Sequence, residues 1–276
     1  MRRIIVCGLI MWVLVLATEL VGAEKTTLQI EGSTTVGPIG DAFTEVFMKT
    51  YPDYKITVTK TGSGNGAAAL IDGRCDIAMM SRFIKPEEFK TAVAKDVQPV
   101  AHVIAMDGVC VIVNPSNSVT QLTLAQTKDI YLGKVKNWKE VGGPDMPIVV
   151  ISRDTASGTY ETFEEFVMKK AKMAETVQYV SSNPESHAKV KTTNGAIAYV
   201  GLGFLDSSVK ALKIEGVMPS RETIVNGSYP ISRPLFLFTN GYPELGSITY
   251  KFCTFYLTET GQDIITKKGF VPVTNY

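Results

Sequence analysis

The sequence predicts an α/β fold of two lobes with a ligand between them. Short apolar segments that are typical of strands alternate with segments whose apolar residues recur at helical spacing. Glycine and hydroxyl residues are concentrated where predicted strands give way to helices, and open α/β sheets bind ligands at the carboxyl ends of their strands. Clefts between domains are common binding sites, so we expect the ligand to lie between the lobes.

Seven short segments have the composition of strands. They are rich in β-branched and apolar residues and are flanked by turn-forming residues. They comprise Thr27–Ile30, Ile56–Lys60, Asp76–Met80, Val109–Val113, Ile148–Ser152, Ile197–Val200 and Leu235–Phe238.

Apolar stripes predict the helices between these strands. A stripe with the spacing i, i+3, i+4, i+7, i+8 marks one buried helical face. The first stripe consists of Ile39, Ala42, Phe43, Val46 and Phe47, and the second of Tyr160, Phe163, Phe166 and Val167. A short helix is also predicted over Ala67–Ile71.

Composition narrows the class of ligand. The 276 residues are 45% hydrophobic and 20% charged, enough for a substantial core in one large domain or two small ones. The formal net charge of +1 does not suggest the clustered basic surface on which nucleic-acid binding depends. We therefore expect a small ligand that is captured locally, and no nucleic-acid partner.

The first 23 residues have the pattern of a secretory signal peptide. Arg2 and Arg3 precede an apolar run over Ile4–Leu16, and Val21-Gly22-Ala23 supplies the small residues that a signal peptidase prefers. A membrane anchor would need about 20 apolar residues, and this run is shorter. We expect cleavage near Ala23 and a periplasmic protein.

The cysteines and histidines do not form a metal-binding pattern. Cleavage would leave Cys75, Cys110 and Cys253, an odd number that allows at most one disulfide bond and leaves a spare thiol. His102 and His187 are far apart in sequence, and neither is near a cysteine. We therefore expect no metal and no cofactor.

Three predicted strand-to-helix junctions suggest an anion. They are Gly32-Ser33-Thr34-Thr35, Gly62-Ser63-Gly64-Asn65-Gly66 and Ser157-Gly158-Thr159. Helix N-termini offer unpaired N–H groups and a partial positive charge, and hydroxyl and amide side chains add uncharged donors. Arg153, just before the third junction, carries a planar fork that can bind two oxygens of a tetrahedral anion.

Ordinary helix capping is the alternative explanation for these junctions. Ser, Thr and Asn are common N-caps, and glycine is a common turn residue. Each junction taken alone is better explained in that way. Three junctions together with a neighbouring arginine favour an anion site.

The mature chain resembles the phosphate-binding proteins of bacterial phosphate ABC transporters. Besides the three junctions, the resemblance is carried, in the family's order, by the segments "LTLAQTKDIYLGKVKNWKEVGG", "NGAIAYVGLGF", "YPISRPLFLFT" and "GQDIITKKGFVPV". It implies the two-lobed type 2 periplasmic binding-protein fold, with inorganic phosphate in the cleft between the lobes.

The resemblance also implies the ligand residues. Thr34 and the backbone N–H of Thr35 correspond to the first-loop ligands, and Asn65 stands where the second loop presents Ser or Thr. Arg153 would be the charged clamp of the third loop. The remaining third-loop donors would be Ser157, Gly158 and Thr159.

One position departs from the family pattern. Relatives have an aspartate after the third strand, which accepts a proton from phosphate and rejects sulfate. This chain has Ser81 there, followed by Arg82. Ser81 can accept through its hydroxyl oxygen, and Arg82 is either a second positive clamp or a surface residue. Asp154 is either the missing acceptor or a partner that orients Arg153.

The resemblance further implies the domain organisation and the partners. Lobe 1 would comprise residues 24–105 and 226–276, and lobe 2 residues 106–225, with two crossing segments as the hinge. We expect a monomer that docks on a membrane permease. The chain has no Gly-x-x-x-x-Gly-Lys loop, so the ATPase of such a transporter must be a separate subunit.

Other functions remain as alternatives. One alternative is a binding protein of the same build that captures another tetrahedral oxyanion, or that reports phosphate to a sensor. A secreted serine hydrolase is a remote alternative, because Ser-x-x-Lys occurs at Ser186–Lys189 and Ser207–Lys210. The triplet Lys60-Thr61-Gly62 precedes both, which is the reverse of the order in penicillin-recognising enzymes. We therefore expect a binding protein and not an enzyme.

Overall fold

The computed structural model describes residues 26–274. The predicted signal peptide, residues 1–23, lies outside the described residues. Within the described range, no helix is long and apolar enough to cross a membrane.

Strands and helices alternate along the described chain. The strands are β1 (Thr27–Gly32), β2 (Lys55–Lys60), β3 (Ile77–Met80), β4 (Pro99–Val113), β5 (Gln121–Leu122), β6 (Val149–Arg153), β7 (Gln178–Val180), β8 (Ala196–Gly201), β9 (Lys210–Ala211), β10 (Lys213–Ile214), β11 (Ser232–Asn240) and β12 (Val271–Pro272). The helices are α1 (Gly37–Thr50), α2 (Ser63–Ile71), α3 (Pro86–Ala94), α4 (Leu124–Tyr131), α5 (Gly158–Phe163), α6 (Asn183–Thr192), α7 (Arg221–Val225), α8 (Ile248–Thr254) and α9 (Glu259–Lys267). Each predicted strand overlaps a strand of the structure. The predicted helical stripes fall on α1 and on α5 with the π-helical turn that follows it at Glu164–Met168.

The long strand β4 holds the sheet together. The strands of the main sheet follow the order β2-β1-β3-β11-β4-β8-β6-β7, with β9 and β12 also paired to β4. The first part of β4 pairs with β11, and its last five residues, Val109–Val113, pair with β8. One strand therefore belongs to both halves of the sheet.

The two halves of the sheet form the centres of two lobes. We refer to the half with β1, β2, β3, β11 and the start of β4 as lobe 1, and to the half with β6, β7, β8 and the end of β4 as lobe 2. The partner of β4 changes from β11 to β8 between Gly108 and Val109. The residue bounds predicted for the lobes, 24–105 with 226–276 and 106–225, remain a prediction.

Aromatic packing fixes α1 on the sheet of lobe 1. Ile39, Phe43 and Phe47 form the buried face of α1, as the apolar stripe predicts. The rings of Phe43 and Phe47 lie 6.2 and 5.6 Å from that of Phe252 on α8. Pro38 stands in the first turn of α1, where its missing N–H costs no helical hydrogen bond. The packing of α1 therefore fixes the position of the loop that joins β1 to α1.

A stacked aromatic pair fixes α5 on lobe 2. The Phe163 ring lies 4.0 Å from the Tyr199 ring of β8, with an interplanar angle of 9°. Tyr131 of α4 packs against both rings. Each of these aromatic residues is almost completely buried. This packing sets the position of the Ser157-Gly158-Thr159 segment at the start of α5.

The three cysteines of the described chain are free and buried. The sequence allowed one disulfide bond among Cys75, Cys110 and Cys253, and none is formed. Burial raises the pKa of Cys75 to about 12 and that of Cys253 further. These thiols therefore carry little of the reactive thiolate form at neutral pH.

Candidate functional site

The first loop begins at Gly32, the last residue of β1, where any other residue would strain the backbone. Gly32 has a φ of 136°, and a Cβ there would lie 2.2 Å from the carbonyl oxygen of Met79. The chain then turns so that Ser33, Thr34 and Thr35 are all buried. Ser33 Oγ accepts the backbone N–H of Thr35 at 3.1 Å. The predicted ligand group, the Thr35 N–H, thus has a partner within its own loop, and the two threonine hydroxyls remain as candidate donors.

The second loop presents Ser63 and not Asn65. Ser63 is the first residue of α2 and is completely buried. Its hydroxyl accepts the backbone N–H of Ser81 at 3.0 Å and lies 3.2 Å from Ser81 Oγ. Asn65 is exposed and donates to the carbonyl oxygen of Thr61 at 2.7 Å. Two helical positions correspond to about 200° around the axis, so Asn65 points away from the face that Ser63 presents.

Ser81 and Arg82 follow β3 and take different directions. Ser81 is buried beside Ser63. Arg82, 7% exposed, lies 2.7 Å from Glu88 Oε1 and 2.7 Å from Glu161 Oε2, and also donates to the carbonyl oxygen of Phe83. Nearby carboxylates outweigh burial and raise the pKa of Arg82. Its guanidinium is therefore paired with carboxylates, so Arg82 is not a surface residue, and its role as an anion clamp stays a prediction.

Arg153 has unused donors in a buried position. It is the last residue of β6 and is 1% exposed. Its Nη2 donates to the carbonyl oxygen of Ser181 at 2.7 Å, while Nε and Nη1 are buried and have no hydrogen-bond partner. Burial lowers the pKa of Arg153 to about 10, which still leaves the guanidinium charged at neutral pH. A buried cation with two free donors is costly unless an acceptor meets it.

Asp154 shapes the turn before α5. Its Oδ1 accepts the backbone N–H of Ala156 at 3.0 Å. Ser157 then caps α5 by accepting the N–H groups of Thr159 and Tyr160, both at 3.2 Å. Because the Ser157 oxygen accepts in both bonds, its own hydrogen is left to donate.

Glycine at position 158 lets the two lobes come into contact. A Cβ there would lie 2.5 Å from Ser63 Oγ and 2.7 Å from Ser81 Oγ, so a larger residue would not fit. The backbone N–H of Gly64 also crosses between the lobes to the carbonyl oxygen of Ala156, at 2.9 Å. The second and third loops therefore meet directly.

The first and third loops meet through hydroxyl groups. Thr35 Oγ1 and Thr159 Oγ1 lie 3.0 Å apart and are buried. Asn183 at the start of α6 donates from Nδ2 to Thr34 Oγ1 at 3.1 Å and to Thr35 Oγ1 at 2.9 Å. Of the predicted residues, the structure thus places Thr34, Thr35, Ser81, Gly158 and Thr159 where the loops of the two lobes meet. Arg153 and Ser157 are buried on the same third loop. Arg82 lies beside the cleft in an ion pair that crosses between the lobes, and Asn65 is exposed.

Sequence reasoning missed three polar residues of this cluster. Ser63 was overlooked in favour of Asn65, although it is the first hydroxyl after Gly62. Asn183 follows Ser182 and precedes a proline, a pattern typical of a helix start. Arg233 lies in the segment "YPISRPLFLFT", and the signal for it is a single charge at the start of an apolar strand.

A cleft with a volume of about 530 Å³ adjoins the cluster. Its lining includes Arg82, Glu161, Thr162 and Arg233, together with the exposed ring of Phe83. Arg233 and Thr162 also touch each other across 3.4 Å beside Thr159. The cleft therefore lies next to the hydroxyl cluster.

The donor set of the site is suited to an anion and not to a metal ion. Among residues 26–274, no group of His, Cys, Asp and Glu side chains is placed to hold a metal. His102 Nε2 lies 2.9 Å from Thr239 Oγ1, and His187 Nε2 lies 3.0 Å from Asp206 Oδ1. Each histidine thus has a partner of its own, and the side chains of the cluster are hydroxyls, an amide and guanidinium groups.

Comparison with known proteins identifies the family. A model of the PBP superfamily domain matches residues 17–260. The phosphate-binding protein PstS of Bacillus subtilis (strain 168) is 34% identical over 258 residues, which cover 92% of this chain and 84% of that protein.

Two solved structures are similar as well. One is a substrate-binding protein from Clostridium perfringens, assigned to a phosphate ABC transporter and solved with bound phosphate. It is 37% identical with a TM-score of 0.83, over 90% of this chain and 100% of that one. The other, an ABC-type phosphate transport receptor from Vibrio cholerae, is 32% identical with a TM-score of 0.73, over 88% of this chain and 99% of that one. The chain therefore belongs to the PBP superfamily and, within it, to the family of bacterial phosphate-binding proteins with the two-lobed type 2 periplasmic binding-protein fold.

Proposed function

We propose that this protein captures inorganic phosphate between its two lobes and delivers it to the membrane permease of an ABC transporter. In this proposal the protein acts in the periplasm as a monomer after removal of residues 1–23, and a separate subunit supplies the ATPase. Its role is binding and delivery, without a catalytic step.

The two free donors of Arg153 carry this proposal. Nε and Nη1 of a guanidinium form a fork that matches two oxygens of a tetrahedral anion. Both atoms are buried and have no hydrogen-bond partner among the described residues. An anion at this position would offset the cost of burying the charge.

The surrounding hydroxyls favour a small oxyanion. A hydroxyl donates a hydrogen bond without a charge of its own to desolvate, and it can turn to suit either a protonated or an ionised oxygen. Buried hydroxyls of this kind come from the facing loops of both lobes: Thr34, Thr35, Ser63, Ser81, Ser157 and Thr159.

Contacts between the lobes suggest how binding leads to delivery. Donors from both lobes reach one anion only when the lobes are in contact, as they are at Thr35 and Thr159. Phosphate therefore stabilises the contact form over a separated one, because it binds that form better. A permease that recognises this form would receive only the loaded protein.

Titration of the purified mature protein by isothermal calorimetry tests the proposal. We expect saturable binding of phosphate and of arsenate, with weaker binding of sulfate. Arg74→Gln is a suitable control, because Arg74 is exposed and its ion pairs with Glu31 and Asp72 are long, at 3.6 and 3.7 Å. A preference for sulfate, or no binding of phosphate, would overturn the substrate assignment.

Ser81 supports a second candidate function, the capture of another tetrahedral oxyanion. A carboxylate at this position would repel an anion that carries no proton, whereas the Ser81 hydroxyl does not. The same titration separates the two candidates through the order of the three affinities.

A further inference from the structure

A buried ion pair joins the two strands that connect the lobes. Arg233 on β11 stands opposite Asp107 on β4 in the antiparallel ladder. Arg233 donates from Nε and Nη2 to Asp107 Oδ2, over 3.0 and 2.8 Å. Asp107 Oδ1 accepts the backbone N–H of Leu202 at 2.8 Å. The side chains are 4% and 0% exposed, so the guanidinium is held in one orientation.

Arg233 also reaches hydroxyls that belong to both lobes. Its Nη2 lies 3.0 Å from Thr159 Oγ1 and 3.4 Å from Thr35 Oγ1, and its Nη1 lies 3.4 Å from Thr162 Oγ1. Thr35 is in the first loop of lobe 1, and Thr159 is in the first turn of α5 in lobe 2. A single guanidinium therefore contacts candidate ligand groups on both sides of the cleft.

These contacts determine which way the hydroxyl hydrogens point. A guanidinium only donates, so Thr159 Oγ1 accepts from Arg233. Asn183 Nδ2 likewise donates to Thr34 Oγ1 and Thr35 Oγ1. Each hydroxyl has one hydrogen of its own, and at most one hydrogen is shared between Thr35 and Thr159. At least two of the three hydrogens are therefore left for another acceptor.

We propose that Arg233, held by Asp107, is a positioning residue of the anion site that turns the Thr35 and Thr159 hydroxyls toward bound phosphate. The proposal rests on the proposed function, since it assigns Arg233 a role in the same site. It also links the hinge strands to the ligand, because Arg233 makes both contacts only when the lobes meet.

Arg233 acts through orientation more than through net charge. Asp107 neutralises much of its positive charge at a distance of 2.8 Å. The remaining effect of Arg233 on Arg153 is repulsive, and it contributes, after burial, to the lowered pKa of Arg153. An unpaired second cation would increase that repulsion. The pair thus supplies fixed N–H donors with little added charge.

The direct test is the phosphate affinity of Arg233→Lys, measured by calorimetry. Lysine keeps a positive charge beside Asp107 but lacks the fork that bonds Asp107 and Thr159 together. We expect a dissociation constant that is roughly 10-fold to 100-fold higher. Arg74→Lys is the matched control on the surface, and we expect it to change the constant by less than about twofold.

A double-variant cycle separates positioning from a general structural effect. Without the Thr159 hydroxyl, Arg233 has one group fewer to orient. The fold-loss of phosphate affinity in the double variant Arg233→Lys with Thr159→Val should therefore be smaller than the product of the fold-losses in the two single variants. When Arg233→Lys is combined with Ser157→Ala, the fold-losses of phosphate affinity in the two single variants should multiply. Multiplication in both cycles would assign Arg233 a purely structural role and overturn the proposal.

A second variant covers the case in which Arg233→Lys does not fold. The double variant D107N/R233Q replaces the ion pair with two amides and leaves no buried charge unpaired. We expect it to lose phosphate affinity to a similar extent, and affinity equal to the wild type would refute the positioning role. If the wild-type protein itself binds no phosphate, the proposed function fails; if it binds and both variants bind equally well, only the role of Arg233 fails.

Discussion

Arg82 Nε lies 2.7 Å from Glu161 Oε2, and the two side chains come from opposite lobes. Arg82 follows β3 in lobe 1, and Glu161 is on α5 in lobe 2. Lys85 adds a second cation 3.2 Å from Glu161 Oε1. Arg82 and Glu161 are 7% and 12% exposed. This ion pair connects the two lobes beside the cleft.

Removal of that carboxylate should weaken phosphate binding without touching the anion site. Glu161→Gln takes away the charge that attracts Arg82 across the cleft, so the contact form loses stability relative to a separated one. We expect roughly threefold to tenfold weaker phosphate binding by calorimetry. Glu88→Gln is the matched control, because Glu88 pairs with the same Arg82 from within lobe 1. Equal effects of the two variants would contradict a role for the interlobe pair.

The effect of Glu161→Gln should depend on pH. Burial raises the pKa of Glu161, while Arg82 and Lys85 lower it and Glu88 adds to the increase. The folded state then holds a proton on Glu161 more tightly than the unfolded chain does. Its contribution to folding stability is present below the unfolded pKa and is lost as pH rises through the folded pKa. Protonation also removes the ion pair, so the affinities of wild type and Glu161→Gln should converge over the acidic range in which Glu161, with its raised pKa, takes up its proton. A constant difference over that range would contradict this assignment.

Arg153→Ala should have the largest effect of the single substitutions at the anion site. The variant removes the charge-assisted bonds that Nε and Nη1 are free to make. We expect a loss of about 2 to 4 kcal/mol in phosphate binding, more than for loss of any one hydroxyl, such as Ser157→Ala. Calorimetric titration measures both. Comparable losses of phosphate-binding free energy in the two variants would show that Arg153 does not bind the anion through these charge-assisted bonds.

Ser63 and Asn65 offer a matched pair on one helix. Ser63→Ala removes a buried hydroxyl beside Ser81 and Gly158, and we expect phosphate affinity to fall roughly tenfold. Asn65→Ala removes an exposed amide that donates to the carbonyl oxygen of Thr61, so the phosphate affinity of this variant should remain within about twofold of wild type. The reverse ranking would restore Asn65 as the ligand of the second loop.

Ser81→Asp should sharpen the discrimination between phosphate and sulfate. An aspartate there can accept a proton from phosphate, but it leaves an unpaired charge facing sulfate. We expect the ratio of the two affinities to increase by about tenfold or more. Ser228→Asp, at an exposed serine, controls for the added charge. An unchanged ratio would show that position 81 does not set selectivity.

Periodicity predicted the fold well where burial follows the local pattern. Phe43 and Phe47 recur at helical spacing and form the buried face of α1. The first part of β4 was missed, since Pro99–Gly108 contains polar residues such as His102 and Asp107 that do not read as a buried strand. Asp107 is stabilised there by Arg233, which stands opposite it and is 126 residues away in sequence.

The site was predicted in part for a similar reason. Local signals predicted Arg153 and the third loop as ligands, and the structure shows that these residues are buried. The choice between Ser63 and Asn65 depends on which helical face meets the other lobe, and the occupation of Arg82 depends on Glu161. Neither relation is visible in a short window of sequence.

Because β4 contributes backbone hydrogen bonds to both halves of the sheet, unfolding of one lobe frees one end of a strand whose other end belongs to the ladder of the second lobe. Heat denaturation of the mature chain should accordingly be a single cooperative transition, in which calorimetric and van't Hoff enthalpies agree.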